Sequence, residues 1–496
     1  MQSGCPSVAN IANHDPRPDL SGARIGVAGL GTSGRAALKA LAARGIAARG
    51  IDRSEAAVAA ANDNATGAHL IHAADEADFA ECASEDVDLL IVSPGIAPHT
   101  PLYARASQRG VQIISEIELA WLLQAPLPGG GYAPWLTLTG TNGKTTTVTM
   151  TSSILGAAGL VAPAIGNVGT PAVLVAERGG VDVMPAELSS FQLHTTHSVR
   201  ALASACLNID DDHLDWHGSP EAYAAAKGRV HLGTSGACLY SRHDPITEQL
   251  VRDADVTEGA LAVSIGLDAP PLAGIGIVDG LIVDRAFHNE RATHGVELAA
   301  LTDLAHLAPE GQVPAHVVID ALFAAGLARA AGVAPEAIAE GLRAFSPGDH
   351  RIQTIAEVDG VRYINDSKAT NAHAARASLS AMSTGSVVWI AGGLAKGARF
   401  DDLIADIAPT LASVVLIGVD QEPLTSALSK VAPDIPVQAV DPASEDPMTE
   451  AVALAQRVAQ PGNVVLLAPA CASMDQFPNY ASRGDQFAAA VRSLRA

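Results

Sequence analysis

The stretch Trp135-Leu136-Thr137-Leu138-Thr139-Gly140-Thr141-Asn142-Gly143-Lys144-Thr145-Thr146-Thr147 decides how the middle of this chain folds. It begins as a short run of apolar and β-branched residues, which favours a buried strand. It turns through Gly140 and Gly143 and continues into a helix predicted over Lys144–Gly159. A strand, a glycine turn and a helix start together form an anion site, because backbone N–H groups and the helix dipole both face the anion.

The side chains of this turn favour a nucleotide site. Lys144 can reach the outer phosphates of a bound nucleotide, and the hydroxyl of Thr145 can ligate Mg²⁺. The strict phosphate-loop pattern has glycine at position 138, where this chain has Leu138, so the loop is a variant. The alternative is a glycine turn before an ordinary helix, but Gly-Lys-Thr directly after a strand is a specific combination.

Length, charge and cysteine usage exclude several classes of protein. The 496 residues suggest about three domains of about 150 residues each. The net charge of −22 argues against general affinity for nucleic acid or for anionic membranes. The five cysteines are scattered and contain no CxxC, which is typical of a reduced cytosol. No apolar run approaches a membrane span, and residues 1–22 lack a signal-peptide pattern and are expected to form a flexible tail.

A second glycine motif lies in the N-terminal third. A predicted strand, Arg24–Ala28, is followed by Gly29-Leu30-Gly31-Thr32-Ser33-Gly34, an alanine-rich helix to Arg44, and a second strand that ends at Asp52. This GxGxxG pattern with a later acidic residue would alone suggest a nicotinamide or flavin enzyme, and purely structural glycines are an alternative. Its physical basis is a pyrophosphate at a helix start, which a UDP-sugar satisfies equally well.

Apolar runs in the C-terminal third predict a further α/β unit. Val387–Ala391, Val414–Ile417 and Val464–Ala468 have the composition of buried strands, and helical stretches separate them. This alternation favours a mostly parallel sheet with functional loops at the carboxyl ends of its strands. Pro126–Pro134, with three glycines, and the helix-breaking Phe345–Gly348 are the predicted domain boundaries.

The phosphate loop Thr139–Thr145 resembles that of the Mur ligases and of folylpolyglutamate synthetase, which use ATP to join an amino acid to a carboxylate. Other segments that resemble this family are Ser93–Ile96, Ile165–Gly169, Glu187–Leu193, Asn208–His217, Asn365–Asn371 and Ala468–Tyr480. The resemblance runs from about residue 24 to 487. It implies an α/β protein with a Rossmann-like UDP-binding domain at 23–125, a central phosphate-loop ATPase-type domain at 126–347, and a Rossmann-like C-terminal domain at 348–496.

The resemblance also implies two nucleotide sites. The residues expected at ATP are Gly140, Thr141, Asn142, Gly143, Lys144, Thr145, Thr146, Arg351 and Asp366. The residues expected at the UDP substrate are Gly31, Thr32, Ser33, Gly34, Asp52, Arg53, Ser54, Ser93 and Asn167. One departure concerns ATP: His316 matches the family, but Val317 and Asp320 replace two amides that help to hold the nucleotide. Because an ionised carboxylate only accepts hydrogen bonds, we expect Asp320 to face the ribose hydroxyls.

Two Mg²⁺ ions are implied near the ATP phosphates, with Thr145, Glu187, His213 and Lys227 as the expected ligands. Ser219-Pro220-Glu221 predicts the start of the helix that carries Lys227. In the family, the lysine at this position is carbamylated by CO₂, which turns a cation into an oxygen donor for the second ion. The alternative for Lys227 is an ordinary lysine on a helix surface.

The segment Asn365–Asn371 most closely resembles the family member that adds D-glutamate. The residues implied at D-glutamate are Lys368, Ser473, Met474 and Tyr480, with Lys368 pairing with a carboxylate. The residues expected to act in catalysis are Lys144, His213, Lys227, Arg351 and Lys368.

Taken together, the resemblance implies ATP-dependent addition of D-glutamate to UDP-N-acetylmuramoyl-L-alanine through an acyl phosphate, in cytoplasmic peptidoglycan precursor synthesis. A monomer without nucleic-acid or membrane partners is expected. One alternative is another carboxylate–amine ligase of the family. A second is a non-catalytic sensor of nucleotide or muropeptide, which Val317 and Asp320 favour. The second nucleotide loop argues against a dehydrogenase.

Overall fold

The computed structural model describes residues 17–62, 67–308, 313–380 and 382–494. Most of the predicted tail, residues 1–16, lies outside these ranges. The chain divides into two compact units, Met1–Asp303 with Ile319–Phe345, and Leu304–Val318 with Ser346–Ala496. The first unit contains two sheets and the second contains one, which confirms the predicted α/β class. No helix in the described ranges combines the length and hydropathy of a membrane-spanning segment.

The first sheet is parallel throughout, with the strand order β3-β2-β1-β4-β5. Its strands are β1 (Ile25–Ala28), β2 (Ala48–Asp52), β3 (His69–His72), β4 (Leu89–Val92) and β5 (Gln112–Ile114). Its helices are α1 (Thr32–Ala43), α2 (Glu55–Asn62), α3 (Glu76–Ser84), α4 (Pro101–Arg109) and α5 (Glu116–Leu122). A β-carbon at Gly34 would lie 1.9 Å from the carbonyl oxygen of Gly29, so only glycine fits where α1 meets the turn.

The second sheet has nine strands in the order β14-β13-β12-β11-β10-β9-β6-β8-β7. Its strands are β6 (Trp135–Thr139), β7 (Ile165–Gly166), β8 (Met184–Glu187), β9 (Ala203–Cys206), β10 (Ala237–Ser241), β11 (Leu261–Ile265), β12 (Gly274–Val278), β13 (Leu281–Asp284) and β14 (Val296–Ala300). The pairs β12–β13 and β13–β14 are antiparallel and the others are parallel. Strand β6 lies in the interior of this sheet, which explains its uninterrupted apolar and threonine sequence.

Helices follow most of these strands. They are α6 (Lys144–Ala157), α7 (Ala172–Arg178), α8 (Ser190–His194), α9 (Leu214–His217), α10 (Pro220–Gly228), α11 (Pro245–Arg252), α12 (Ala315–Ala330) and α13 (Pro335–Ala344). Short 3₁₀ turns cover Arg229–His231 and Leu301–Leu307. As predicted, Ser219 caps α10 by accepting a hydrogen bond from the backbone of Ala222.

Buried carboxylates of α5 join the two sheets of the first unit. Glu118 accepts hydrogen bonds from the backbone N–H groups of His197 and Ser198, the first over 2.7 Å. Glu116 accepts from the N–H of Val173 over 2.7 Å. The rings of Trp121 and Trp135 also pack edge to face, with ring centroids 5.8 Å apart. These contacts hold the predicted UDP region and the phosphate loop in one compact unit.

The third sheet has the order β15-β16-β20-β17-β18-β19 and is parallel except for the β15–β16 pair. Its strands are β15 (Gln353–Val358), β16 (Val361–Asn365), β17 (Val387–Gly392), β18 (Leu411–Ile417), β19 (Val437–Ala439) and β20 (Val464–Leu467). Its helices are α14 (Ala372–Leu379), α15 (Asp401–Ile407), α16 (Glu422–Val431), α17 (Pro447–Val458) and α18 (Tyr480–Ser493), with a 3₁₀ turn at Ala408–Thr410. The segments implied to bind D-glutamate follow the carboxyl ends of β16 and β20.

Candidate functional site

The phosphate loop joins the end of β6 to the start of α6. Gly143 is the N-cap residue of α6 and has φ +80°, a conformation that favours glycine. Asn208 accepts hydrogen bonds from the backbone N–H groups of Thr141 and Asn142 over 3.0 and 2.9 Å. Those two N–H groups therefore hold the loop in shape. The first turn of α6 begins at Lys144, where backbone N–H groups and the helix dipole favour a phosphate.

Two lysines converge on this loop. Lys144 donates to the carbonyl oxygens of Gly140 and Thr141 over 2.8 and 2.7 Å. Lys227, from α10, donates to the same Gly140 oxygen over 2.7 Å. The side chain of Lys227 is buried, with 2% of the residue exposed, which excludes the alternative of a surface lysine. Burial, followed by the charge of Lys144, lowers the pKa of Lys227 to about 7.

Oxygen donors suited to Mg²⁺ meet beside the loop. The hydroxyl of Thr145 donates to Oε2 of Glu187 over 2.7 Å, and the amide of Asn167 donates to Oε1 over 2.9 Å. The described residues contain no group of three or more His, Cys, Asp or Glu side chains arranged around one metal position. Mg²⁺ commonly takes one or two protein oxygens together with substrate phosphates and waters, so this donor set fits that ion.

His213 precedes α9 in a left-handed conformation, with φ +52°. Its Nε2 lies 3.6 Å from a carboxylate oxygen of Asp212, and its ring lies 4.8 Å from that of Phe191. Asp212 and Glu187 both act electrostatically on buried Lys227, which places negative charge around that amine. The role of His213 as a metal ligand stays a prediction.

Asp320 lies beside the phosphate loop, and its expected contact with the ribose hydroxyls stays a prediction. The residue is 4% exposed, and its Oδ1 accepts a hydrogen bond from the hydroxyl of Thr147 in α6 over 3.1 Å. A β-carbon at Gly143 would lie 2.2 Å from the same oxygen. The carboxylate therefore packs against the phosphate loop, because the start of α6 offers it a hydroxyl donor and room beside a glycine.

The predicted UDP region contains a cavity of about 330 Å³. Four of the predicted residues line it, namely Gly31, Asp52, Arg53 and Ser93, together with Gly29 of the same glycine turn. Asp52 braces the turn, since its two oxygens accept from the backbone of Leu30 over 2.6 Å and of Ser54 over 2.8 Å. The predicted Thr32, Ser33, Gly34, Ser54 and Asn167 are not among the lining residues.

Sequence patterns missed several residues of this cavity. They include Glu76, Phe79, Thr100 and Leu102. Glu76 begins α3 directly after β3, so the rule that ligands bind at the carboxyl ends of parallel strands could have pointed to it. Phe79 and Leu102 gave no signal beyond ordinary core residues.

The second unit brings two predicted D-glutamate residues together. The ammonium of Lys368 lies 3.9 Å from the ring centroid of Tyr480, a cation–π contact. Ser473 is buried and the adjacent Met474 is 63% exposed. This arrangement would suit a binding site with a polar inner wall at Ser473 and an open edge at Met474.

Asp366 and Arg351 also lie in the second unit. Burial raises the pKa of Asp366 to about 7, while hydrogen bonding to Ser378 and the charge of Arg351 oppose this shift. The carboxylate accepts from the hydroxyl of Ser378 over 2.5 Å and from the N–H of Ile352 over 3.3 Å. Asp366 thus braces the residue that follows Arg351.

Comparison with known proteins identifies relatives along most of the chain. Three family models match: the N-terminal domain of MurD-like Mur ligases over residues 23–115, the Mur ligase middle domain over 138–278, and the Mur ligase glutamate ligase domain over 350–471. The UDP-N-acetylmuramoylalanine–D-glutamate ligase of Streptomyces coelicolor is 48% identical over 482 residues, which cover 96% of this chain and 99% of that protein.

Solved structures share the fold at low identity. The UDP-N-acetylmuramate-alanine ligase of Thermotoga maritima superposes with a TM-score of 0.54 at 16% identity, covering 95% of this chain and 99% of that one. Escherichia coli FolC in complex with DHPP and ADP has a TM-score of 0.54 at 17% identity, covering 76% of this chain and 92% of that one.

Proposed function

Because this chain belongs to the Mur ligase family, we propose that it joins D-glutamate to UDP-N-acetylmuramoyl-L-alanine at the expense of ATP. The observation that carries the proposal is the full-length similarity to a ligase of that name, 48% identical over 96% of this chain. The contacts of Lys144, Thr145 and Glu187 support ATP-dependent chemistry. Lys144 donates a hydrogen bond to a carbonyl oxygen of the phosphate loop, and Thr145 donates one to Glu187.

The proposed reaction has two steps. A carboxylate oxygen of the alanyl substrate attacks the γ-phosphorus of ATP, the bond to the bridging oxygen breaks, and ADP leaves. The neutral D-glutamate amine then attacks the carbonyl carbon of the acyl phosphate, an amide bond forms, inorganic phosphate leaves with the bond electrons, and the nitrogen releases one proton to solvent. Both steps concentrate negative charge on transferring oxygens, so fixed cations near the loop accelerate them.

We assign the following roles to the chain's own groups. Lys144 neutralises the γ-phosphoryl oxygens once it leaves the carbonyls of Gly140 and Thr141. Thr145 and Glu187 would hold Mg²⁺, which when bound supplies Lewis-acid stabilisation of phosphate charge. Lys227, as a carbamate, would supply an oxygen donor for a second ion, and His213 would lie beside it. Asp212 and Glu187 keep this region suited to cations.

The binding sites for the UDP substrate and for D-glutamate are assigned to the first and the third sheet. The uridine diphosphate occupies the cavity between Gly29, Asp52 and Ser93, where the N-terminus of α1 faces the diphosphate. Lys368 pairs with a carboxylate of D-glutamate, with Ser473 and Tyr480 around it. Arg351 and Asp366 serve the nucleotide. We place the reaction in the cytoplasm and expect the enzyme to act as a monomer.

A phosphate-release assay tests the proposal. The full-length protein is incubated with ATP, Mg²⁺ and UDP-N-acetylmuramoyl-L-alanine, and with D-glutamate, L-glutamate, a diamino acid or no amino acid. We expect sustained release only with D-glutamate. Release with the diamino acid would assign another ligase activity, and binding of the nucleotide without release in any arm would favour a sensor.

A further inference from the structure

We propose that Arg483 is a positioning residue that holds the two segments of the D-glutamate site in one arrangement. This inference deepens the proposed function and depends on it for the identity of the amino acid. It concerns a residue that no motif singled out, in the first turn of α18. The residue is 0% exposed and is one of the largest fully buried side chains of the protein.

The guanidinium of Arg483 makes three hydrogen bonds, and they reach both segments. Its Nε and Nη2 donate to the hydroxyl and carbonyl oxygens of Ser367 over 3.0 and 2.9 Å. Its Nη1 donates to the carbonyl oxygen of Cys471 over 3.1 Å. Ser367 directly precedes Lys368, and Cys471 lies two residues before Ser473. One rigid fork therefore fixes the backbone beside both predicted D-glutamate residues.

A second contact closes the network. The hydroxyl of Ser367 donates to the carbonyl oxygen of Tyr480 over 2.8 Å, at the first residue of α18. The ammonium of Lys368 in turn lies 3.9 Å from the centroid of the Tyr480 ring. Arg483 thus sets the relative positions of Lys368 and the ring against which it packs.

The charge of Arg483 is unusual for a buried arginine. Its three hydrogen-bond acceptors are neutral oxygens, and the carboxylate of Asp475 acts on it electrostatically without a direct hydrogen bond. Burial lowers the pKa of Arg483 to about 10, so the group remains a cation at neutral pH. A buried cation whose hydrogen-bond acceptors are all neutral favours an anionic ligand nearby, and D-glutamate carries two carboxylates.

Arg329 provides a matched control because it is also a buried arginine, but in the first unit. Its Nε pairs with a carboxylate oxygen of Asp284 over 3.0 Å, and it donates to the carbonyl oxygen of Val333 over 2.7 Å. Nothing in these contacts involves the D-glutamate segments. A general effect of perturbing a buried arginine should therefore appear equally in Arg329→Lys and Arg483→Lys.

Steady-state kinetics of the full-length protein test the inference. We measure KM for each of the three substrates in wild type, Arg483→Gln, Arg483→Lys and Arg329→Lys, with thermal unfolding as a check of folding. Since a displacement of about 1 Å can cost about 100-fold, we expect KM for D-glutamate to rise about 10- to 100-fold in Arg483→Gln. KM for ATP and for the UDP substrate should stay within about 3-fold. Arg483→Lys should recover part of the loss because it restores the charge without the fork.

Two outcomes overturn the inference: an unchanged KM for D-glutamate, or a uniform fall in kcat with all three KM values unchanged, which a purely structural role predicts. If Arg483→Gln does not fold, Ser367→Ala removes the link to Tyr480 and should raise the same KM by a smaller factor. If the wild-type protein uses a different amino acid, only the proposed function is overturned. The same variants measured with that amino acid then decide the role of Arg483.

Discussion

Lys144 and Lys227 donate to one acceptor, the carbonyl oxygen of Gly140, over 2.8 and 2.7 Å. Two ammonium groups this close repel each other, and the buried one loses its proton more easily. The pKa of Lys227 is lowered to about 7, first by burial and then by Lys144. The lowered pKa of Lys227 increases the share of its neutral amine, which is the form that would react with CO₂ in the proposed carbamate.

Replacing Lys144 tests the phosphate-loop assignment. We expect Lys144→Ala to lower kcat/KM for phosphate release by at least about 100-fold, because a preorganised cation at the γ-phosphoryl group is lost. The two hydrogen bonds removed end on backbone oxygens at the partly exposed turn, so stability should change by about 1 kcal/mol or less. Lys430→Ala, which removes an exposed ion pair with Asp401, is the control and should retain wild-type turnover. Near-normal turnover in Lys144→Ala would exclude the ATP site proposed for this loop.

The carbamate proposed for Lys227 predicts a pH dependence of defined sign. Carbon dioxide reacts with the neutral amine, so its uptake should increase as pH rises from about 6 to about 8, through the lowered pKa. Native mass spectrometry in bicarbonate should show the added mass of one CO₂, lost on acidification and absent from Lys227→Ala. Lys227→Ala should also lose activity, and excess Mg²⁺ should restore part of it. Full activity in this variant would exclude a carbamate in catalysis.

Glu116 predicts a pH effect of the opposite sign, on stability. Burial raises the pKa of Glu116 to about 7, from an ordinary value of 4.5, although the N–H of Val173 opposes this. The folded state thus binds the proton more tightly than the unfolded state, and its contribution to stability is present at low pH and is lost as pH rises to about 7. Glu116→Gln keeps an acceptor for Val173 and removes the titration.

The variant should therefore be more stable than wild type by about 1–3 kcal/mol at pH 8, with the difference shrinking toward pH 5. Urea unfolding at the two pH values measures this. Glu118→Gln is a useful comparison, because Glu118 accepts hydrogen bonds from two backbone groups and lies on the same helix. A Glu116→Gln variant that is less stable than wild type at both pH values would show that the ionised carboxylate is favoured in the folded protein.

Local patterns predicted the elements that depend on local chemistry. Strand β1 ends at the predicted Ala28 and begins one residue after the predicted Arg24, and α6 begins at the predicted Lys144 and ends two residues before the predicted Gly159. Apolar runs define buried strands, and a glycine turn followed by Lys and Thr defines a helix start. Most of the site residues were predicted from the resemblance to the family, because local patterns alone do not identify them.

Residues whose positions depend on contacts with distant parts of the chain could not be predicted from the sequence. Arg483 gains its place from Ser367, 116 residues earlier, and no periodicity or motif records that pairing. Phe79 lines the cavity in the predicted UDP region because the segments that follow β1, β2, β3 and β4 meet at one edge of the first sheet. Asp320 was identified as a departure from the family, but its partner Thr147 lies 173 residues away and could not be predicted.

The last prediction concerns Val317 and Asp320, which replace two amides of the family. The carboxylate accepts from Thr147 over 3.1 Å beside Gly143, and an amide oxygen could accept the same hydrogen bond. We expect Asp320→Asn, alone or with Val317→Asn, to change KM for ATP by less than about tenfold, or about 1.4 kcal/mol. Asp320→Ala should instead leave the Thr147 hydroxyl without this acceptor and lower stability by about 1–3 kcal/mol. Steady-state kinetics and urea unfolding measure the two effects. A gain of several orders of magnitude in kcat/KM for the double variant would show a crippled nucleotide site and favour the sensor over the ligase.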